Sequence, residues 1–305
     1  MLGRIVEIAD DRRHLALYRG FLLVRDLSAN GAELGRVPLD DITALIASAH
    51  GISYTHALLV ALAERSVPFV LCAANHNAVG MLLSLDGHHL QAARMQAQAA
   101  SGLALRKRLW AALVRAKLAQ QATVLQAVGS AHVPLQALVR KVRSGDPDNI
   151  EAQGARRYWP LLFGHSFRRD RHTGGLNGLL NYGYTVARAA TARAVVAAGL
   201  HPSLGLHHSN AANAMRLVDD LIEPFRPLVD WQVWRLQQAG IHAVTPEAKH
   251  QLVQLLHYDL DGPHGTSPVS VSMQRLARSL ASVFQGEQRN LTLPAPQVPQ
   301  DGQDS

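Results

Sequence analysis

Cysteine is almost absent from this sequence of 305 residues, and its single Cys72 cannot form an internal disulfide or a cysteine-rich zinc site. Such cysteine usage fits a reducing compartment, so we expect a cytoplasmic protein. No run of about 18 apolar residues is uninterrupted, and the best candidate, Ala57–Ala74, contains Glu64 and Arg65. The first twenty residues also lack the apolar centre of a signal peptide. We therefore expect no membrane association.

Acidic residues are missing from a long central stretch. Between Asp86 and Asp146 there is no Asp or Glu, although nine cations lie there: Arg94, Arg106, Lys107, Arg108, Arg115, Lys117, Arg140, Lys141 and Arg143. A stretch with few internal ion-pair partners directs its positive field outward, which favours an anionic partner over a merely solvated basic face.

Lysine is also scarce, because only four of the 30 basic residues are lysine and 26 are arginine. The planar guanidinium group suits phosphate recognition better than a lysine ammonium does. A proteome rich in alanine and arginine would show the same preference, so this composition alone does not decide the partner.

Hydrophobic residues make up 48% of the chain, which is enough for a core and excludes an intrinsically disordered or collagen-like protein. The pattern of apolar residues changes near residues 86–90, from strand-like alternation to helical spacing. We predict strands at Arg4–Ile8, His14–Tyr18, Phe21–Val24, Val37–Ile46, Val67–Cys72 and Ala78–Leu85, a hairpin turn at Arg19-Gly20 and a helix over Tyr54–Arg65. We predict helices at Gln91–Val128, Ile150–Phe163, Leu176–Ala198, Ala212–Glu223, Asp230–Gln238, Pro246–Leu256 and Ser267–Gln285.

The predicted fold class is therefore α+β. A small N-terminal β-rich module, residues 1–88, precedes a larger all-helical domain, residues 89–287. The proline-containing end of the chain, residues 288–305, is expected to be a disordered tail.

Several acidic residues and histidines form a candidate metal site. Asp220 and Glu223 are three residues apart, so they share one face of a predicted helix, and His207 and His208 precede them. Glu151 opens another predicted helix. Two carboxylates and an imidazole from separate segments suit Mg²⁺ or Mn²⁺.

Each member of this set also has a purely structural interpretation. Glu151 stands three residues after Asp148, the spacing of a helix capping box. The acids at 219, 220 and 223 could pair with Arg216 and Arg226 on a helix surface, and either histidine could be a satisfied loop residue. On one straight helix, His208 and Glu223 would be about 22 Å apart, so a shared ion requires the chain to bend within residues 209–213.

Four segments resemble a known family, the CRISPR-associated integrase that captures new spacers and is the universal endonuclease of the adaptation step. They are Asp146–Trp159, Phe167–Arg171 leading to Leu176–Tyr184, Leu204–His208, and Asp220–Pro227. The last segment resembles the branch found in type II systems, and the predicted order of a β module before a helical domain is also that of the family.

The resemblance implies that Glu151, His208 and Glu223 bind Mg²⁺ or Mn²⁺ and are the catalytic residues, with Asp220 and His207 as neighbours of the metal. It implies phosphoryl transfer, in which the 3′-hydroxyl of a captured fragment attacks a phosphodiester. We expect alanine at Glu151 or Glu223 to abolish strand transfer and to leave the fold intact.

The resemblance also implies double-stranded DNA as a partner, a homodimer formed through residues 1–88, and a small dimeric adaptation protein that bridges two dimers. We expect DNA contacts from Arg156, Arg157, Arg168, Arg169, Arg171 and Tyr158. Tyr182 and Tyr184 could stack on bases or pack in the core. Two alternatives to an integrase remain: a DNA-binding scaffold without catalysis, and a general metal-dependent nuclease acting on branched DNA.

Overall fold

The computed structural model describes residues 4–28, 30–73, 78–85 and 87–299. The chain divides into two compact units, residues 1–89 and 90–305, one residue away from the predicted division. Among the described residues, no helix has the length and apolar character needed to cross a membrane.

The first unit is built from two mixed sheets and one helix. Its strands are β1 (Arg4–Ile8), β2 (Arg13–Tyr18), β3 (Phe21–Asp26), β4 (Ala32–Pro38), β5 (Ile42–Ala47), β6 (Ile52–Tyr54), β7 (Phe69–Cys72) and β8 (Ala78–Leu82), and its helix is α1 (His56–Glu64). One sheet has the order β1-β5-β7-β8 and the other the order β4-β3-β2-β6. Both sheets and α1 contribute side chains to one core, including Ile8, Leu15, Leu22, Leu45, Leu58 and Leu62.

The predicted hairpin at Arg19-Gly20 is confirmed. Tyr18 pairs with Phe21, and the two turn residues have φ of 47° and 83°. Positive φ at both central residues is the geometry whose twist matches that of the flanking strands.

The second unit is helical apart from one short antiparallel pair of strands. Its helices are α2 (Gln91–Ala100), α3 (Leu103–Ala127), α4 (Val133–Val139), α5 (Ile150–Phe163), α6 (Leu176–Ala197), α7 (Arg216–Leu221), α8 (Arg226–Gln238), α9 (Pro246–Gln254) and α10 (Val269–Phe284), and its strands are β9 (Asp259–Leu260) and β10 (Ser267–Pro268). The α+β prediction is confirmed.

The single helix predicted over Gln91–Val128 is wrong, because it is two helices. The backbone is extended at Ser101, with ψ of 126°, and Gly102 precedes the first turn of α3. The Ser101 hydroxyl donates a hydrogen bond to the carbonyl of Gln98, which satisfies the end of α2 and turns the chain.

Helix α3 is buried on most of its surface and packs against α4, α5 and α8. Helix α5 approaches it closely at Gly154, where an added Cβ would lie 2.3 Å from Cδ2 of Leu118. The same approach brings the first turn of α5, which carries Glu151, beside the residue that precedes Leu118. Gly154 thus helps to position a predicted site residue.

The predicted disordered tail, residues 288–305, is corrected for residues 288–299. The backbone N–H of Gln297 donates to the Gln120 side chain at 3.1 Å, and the Gln120 amide donates to the carbonyl of Gln297 at 2.6 Å. A proline-rich segment without helix or strand can still be held by side chains that satisfy its backbone. Residues 300–305 lie outside the described residues.

Candidate active site

Glu151 and Glu223 meet at one cation, the ammonium group of Lys117. Glu151 is in the first turn of α5, and Glu223 begins a short 3-10 turn, Glu223–Phe225, between α7 and α8. The Nζ atom of Lys117 lies 2.5 Å from Oε1 of Glu151 and 2.5 Å from Oε2 of Glu223. The two carboxylate oxygens are therefore no more than twice that distance apart, although the residues are far apart in sequence.

This ion cluster is largely withdrawn from solvent, since Lys117 is 8% exposed and Glu223 is 5% exposed. Burial raises the pKa of Glu223, but the positive charges of Lys117 and Arg226 outweigh it and lower that pKa to about 2. Burial likewise lowers the pKa of Lys117, but the charges of Glu223 and Glu151 outweigh it and raise that pKa. Glu223 and Lys117 are consequently both ionised at neutral pH.

Glu223 uses its two oxygens differently. Oε1 accepts a hydrogen bond from Nε of Arg226 at 2.9 Å. Oε2 is buried and touches the Lys117 ammonium, yet among the described residues it accepts no hydrogen bond of normal geometry. A buried carboxylate oxygen with a cation contact and no hydrogen bond is the kind of atom that a metal ion satisfies.

The carboxylate of Asp220 holds the loop that carries the predicted histidine ligand. Asp220 is fully buried and accepts hydrogen bonds from the backbone N–H groups of Leu206 at 2.6 Å, His207 at 3.3 Å and His208 at 3.2 Å. It also lies 2.7 Å from Nδ1 of His208, and this hydrogen bond raises the pKa of that imidazole. A histidine that donates from Nδ1 presents Nε2 to a ligand.

Gly205 allows this loop to wrap tightly around Asp220. A Cβ at this position would lie 2.8 Å from Cβ of Arg216, 2.9 Å from Oδ2 of Asp220 and 3.0 Å from the carbonyl oxygen of His208. Any side chain would push the loop away from the carboxylate, which explains the glycine three residues before His208.

The two adjacent histidines have different surroundings. The ring of His207 stacks on Trp110 of α3, with centroids 4.3 Å apart and planes at 2°, whereas His208 meets the same indole edge-on at 5.8 Å. Among the described contacts, the ring of His208 is hydrogen-bonded to Asp220, whereas the ring of His207 is stacked on Trp110.

The predicted three-residue metal site is only partly assembled. Within the ranges that the structure describes, no group of three or more His, Cys, Asp or Glu is arranged to hold a metal ion. Glu151 and Glu223 converge on Lys117, whereas the described contacts of His208 are with Asp220 and with the indole of Trp110. Nevertheless, the charge of His208 lowers the pKa of Glu223, so the imidazole borders the cluster. The donor set fits a divalent cation, and a lysine ammonium stands between its carboxylates.

The chain bends between His208 and Glu223, as the binding of one ion by both residues would require. Residues 209–215 are not helical, and α7 begins only at Arg216. Asn213 accepts a hydrogen bond from the backbone N–H of Met215 and so supports the turn. The predicted bend between His208 and Glu223 is confirmed.

The capping-box interpretation of Glu151 is wrong. Asp146 caps α5, because its carboxylate accepts hydrogen bonds from the backbone N–H groups of Ile150 at 2.9 Å and Glu151 at 3.0 Å. Asp148 instead pairs with the exposed Arg143. The side chain of Glu151 is thus free of a capping role and reaches the cluster.

Comparison with known proteins places the chain in a family. The model of the family described as CRISPR associated protein Cas1 matches residues 7–248. A protein named CRISPR-associated endonuclease Cas1 from Neisseria meningitidis is 38% identical over 250 residues, which cover 81% of each chain. This chain belongs to the Cas1 family.

Solved structures show the same fold as this Cas1-family chain. A casposase bound to integration product has a TM-score of 0.81 at 19% identity and covers 99% of this chain and 96% of its own. A Cas6-RT-Cas1–Cas2 complex has a TM-score of 0.76 at 16% identity and covers 97% of this chain and 36% of its own.

The predicted DNA-binding arginines fall into two groups. Arg156 and Arg157 are exposed on α5, turned by about 140° and about 120° around the helix axis from Glu151. Arg168 and Arg171 are exposed in the loop between α5 and α6, where Arg168 donates to neighbouring backbone carbonyls. These four side chains lie where a phosphate backbone could reach them.

Arg169 differs from its neighbours because its guanidinium is bound within the protein. It donates to Oδ1 of Asn177 at 2.9 Å and of Asn181 at 2.7 Å, and it lies over the ring of Tyr184 at 5.5 Å. Burial lowers its pKa. Arg169 therefore fixes the loop onto α6, and the prediction that it contacts DNA stays a prediction for a half-buried side chain.

The prediction that Tyr158 contacts DNA is also corrected, since its side chain is fully buried. It lies on the inward face of α5, one turn after Gly154, where α5 packs on α3. Tyr182 is fully buried as well, and the hydroxyl of Tyr184 donates a hydrogen bond to Asp230. Tyr158 and Tyr182 are thus part of the packed interior, and Tyr184 is half-buried.

The predicted pairing of Glu223 with Arg226 is confirmed at 2.9 Å, whereas sequence reasoning missed Asp230 and the position of Lys117 between two carboxylates. The only signal for Lys117 is its position in α3, four residues after Leu113 and on the same apolar face. Burial raises the pKa of Asp230 to about 7, a shift that no local sequence pattern reveals.

Proposed function

We propose that this chain is a metal-dependent DNA endonuclease and integrase that inserts new spacer DNA into a CRISPR array. Its membership of the Cas1 family and its 38% identity to a CRISPR-associated endonuclease support the proposal. The observation that carries it is the convergence of Glu151 and Glu223 on one cation in a largely buried cluster.

Glu151, Glu223 and His208 would hold Mg²⁺ or Mn²⁺. Such a cation would supply Lewis-acid polarisation of the scissile phosphate and neutralise its developing charge. Asp220 orients the imidazole of His208, and Arg226 fixes one oxygen of Glu223.

The reaction is transesterification at phosphorus. The 3′-hydroxyl oxygen of the incoming strand forms a new bond to phosphorus while the bond to the leaving 3′ oxygen breaks, and the proton lost by the attacking hydroxyl is balanced by one gained on the leaving oxygen. Water in place of the hydroxyl gives hydrolysis, which accounts for endonuclease activity at the same residues. Positioning and charge neutralisation supply most of the rate enhancement in such reactions.

The partners proposed are double-stranded DNA, a second copy of the chain and a small dimeric Cas2-type protein. Exposed Arg156, Arg157, Arg168 and Arg171 offer phosphate contacts. One structural neighbour is a casposase bound to integration product and the other is a complex that contains Cas2, which supports DNA and a Cas2-type protein as partners. Exposed apolar side chains of the first unit, among them Leu17, Tyr18, Leu34, Leu71 and Val79, support pairing of two copies through residues 1–88.

The experiment is a plasmid integration assay with purified protein, its Cas2-type partner, Mg²⁺ or Mn²⁺, and a short duplex ending in 3′-hydroxyls. The expected product is plasmid covalently joined to the duplex, and a matched duplex with 3′-deoxy ends should give none. Chelator should remove the product from the wild type. DNA binding that is unaffected by chelator, with no joined or cleaved product, would identify a non-catalytic scaffold and contradict the proposal.

A further inference from the structure

Lys117 differs from the other lysines of the chain by its burial. Lys107 and Lys141 are exposed, whereas Lys117 is 8% exposed and touches two carboxylates at the same distance, 2.5 Å. Withdrawing an ammonium group from water is unfavourable by several kcal/mol unless opposite charges offset it. Glu151 and Glu223 provide that offset here.

The ammonium group of Lys117 in turn stabilises the two carboxylates. Two carboxylate oxygens no more than about 5 Å apart repel each other unless a cation lies between them. Lys117 removes that repulsion and holds Glu151 on α5 near Glu223 in the absence of any metal. The site residues are thereby arranged in advance.

Within the four residues Glu151, Glu223, Lys117 and Arg226, opposite charges are equal in number. The negative charges of Glu151 and Glu223 are matched by the positive charges of Lys117 and Arg226. Adding a divalent cation would leave an excess of positive charge in a buried site, unless a resident cation moves away. Arg226 donates to Oε1 of Glu223, whereas Lys117 contacts Oε2 and also Glu151. Lys117 is therefore the cation that lies between the two carboxylates.

We propose that Lys117 is a resident counter-cation that a divalent metal must displace in order to bind. The inference rests on the proposed metal site. Lys117 then has two opposite effects: it stabilises the metal-free protein and it weakens metal binding. Its flexible four-carbon side chain allows the ammonium to move without a change in α3.

The first test compares wild type with Lys117→Met, which keeps the length of the side chain and removes its charge. Lys141→Met, at an exposed lysine, is the matched control. We expect Lys117→Met to bind Mn²⁺ at least tenfold more tightly by isothermal titration calorimetry, and to unfold at a lower temperature than wild type in EDTA. The control variant should have the same Mn²⁺ affinity and the same unfolding temperature as wild type. Equal or weaker Mn²⁺ affinity in Lys117→Met would overturn the proposal.

The second test uses the unaltered chain, so it stands even if Lys117→Met fails to fold. Amines are acetylated with a reagent in limiting amount, with and without Mn²⁺, and each lysine is quantified by mass spectrometry. Displacement should increase labelling of Lys117 several-fold and leave Lys141 unchanged. Unchanged or lower labelling, under conditions in which calorimetry shows Mn²⁺ bound, would overturn it. If neither wild type nor variant binds Mn²⁺, the metal site and the proposed function both fail, whereas equal binding by both defeats the lysine proposal alone.

Discussion

Asp220 binds His208 twice, since its carboxylate lies 2.7 Å from Nδ1 of the ring and accepts the backbone N–H of the same residue at 3.2 Å. A fully buried carboxylate thus fixes both the position and the orientation of the imidazole. Asp220 acts on the site through His208 and through the loop that precedes it.

Replacing Asp220 should therefore damage both stability and metal affinity. We expect Asp220→Ala to lower the free energy of unfolding by about 3 kcal/mol or more, because several buried hydrogen bonds to a charged group are lost. In the milder Asp220→Asn, Mn²⁺ affinity should fall about 10-fold to 100-fold, the usual effect of losing an orienting partner. Urea unfolding and calorimetry measure the two quantities.

Asp148→Asn is the control for Asp220, because Asp148 makes an exposed ion pair with Arg143, which is worth about 0–1 kcal/mol. Equal effects of the two asparagine variants would contradict the role given to Asp220.

Gly205→Ala should loosen the loop around Asp220. The added methyl group would meet three atoms at 2.8–3.0 Å, and overpacking of this kind destabilises a protein by about 1–3 kcal/mol. Gly174→Ala provides the control, since Gly174 lies outside the helices and a Cβ there meets nothing within 4 Å. Thermal unfolding of both variants checks the difference, and a stability of Gly205→Ala equal to wild type would show that the loop is not held tightly.

Glu151 and Glu223 should differ in how much the fold depends on them. Glu223 is buried and pairs with both Lys117 and Arg226, so Glu223→Gln removes one of the two partners of the buried Lys117 and should lower stability by about 3–5 kcal/mol. The side chain of Glu151 is 30% exposed, so Glu151→Gln should lower it by about 1 kcal/mol. The expectation that both positions tolerate replacement with the fold intact is therefore kept for Glu151 and revised for Glu223.

Both variants should lose strand transfer in the integration assay. Their free energies of unfolding, measured by chemical denaturation, should differ. Similar losses of stability at the two positions would contradict the difference in burial.

Asp230 should make stability depend on pH. Its pKa is raised by burial from its ordinary value to about 7 in the folded protein, so the folded state binds the proton more tightly than the unfolded state does. Between about pH 4 and about pH 7 the contribution of Asp230 to stability consequently falls as pH rises. Asp230→Asn, which mimics the neutral form beside Tyr184, should lose this part of the pH dependence in urea titrations. An unchanged slope would contradict the raised pKa.

The exposed arginines should contribute to DNA affinity through charge. Arg157→Ala should weaken duplex binding to the same extent for different sequences and reduce the magnitude of the salt slope by about 0.9, the value for one lost phosphate contact. Arg278→Ala, an exposed arginine of α10, removes the same charge elsewhere. Fluorescence anisotropy at several salt concentrations gives the salt slope of duplex binding for each variant. Identical slopes for the two variants would contradict a phosphate contact by Arg157.

Local patterns in the sequence were sufficient for much of the fold. Apolar spacing and terminal residues gave α5 its bounds, Ile150–Phe163, and the Arg19-Gly20 turn gave the hairpin. The break at Ser101 escaped prediction because no proline marks it and both flanking segments favour helix.

Only part of the site could be predicted from the sequence. Glu151, Glu223 and His208 stand in segments that resemble the Cas1 family, but the contacts of Lys117 join residues more than thirty positions apart, and sequence spacing carries no information about them. Tyr158 looked accessible among arginines, yet the helical period turns it inward toward α3.

The most direct test is the position of Mn²⁺ by anomalous X-ray scattering from crystals of the protein grown or soaked with the metal. The expected result is a single peak at about 2.0–2.6 Å from carboxylate oxygens of Glu151 and Glu223 and from Nε2 of His208, with the Lys117 ammonium no longer between the carboxylates. A peak elsewhere, or Lys117 still bridging Glu151 and Glu223 at a metal concentration that supports strand transfer, would contradict it.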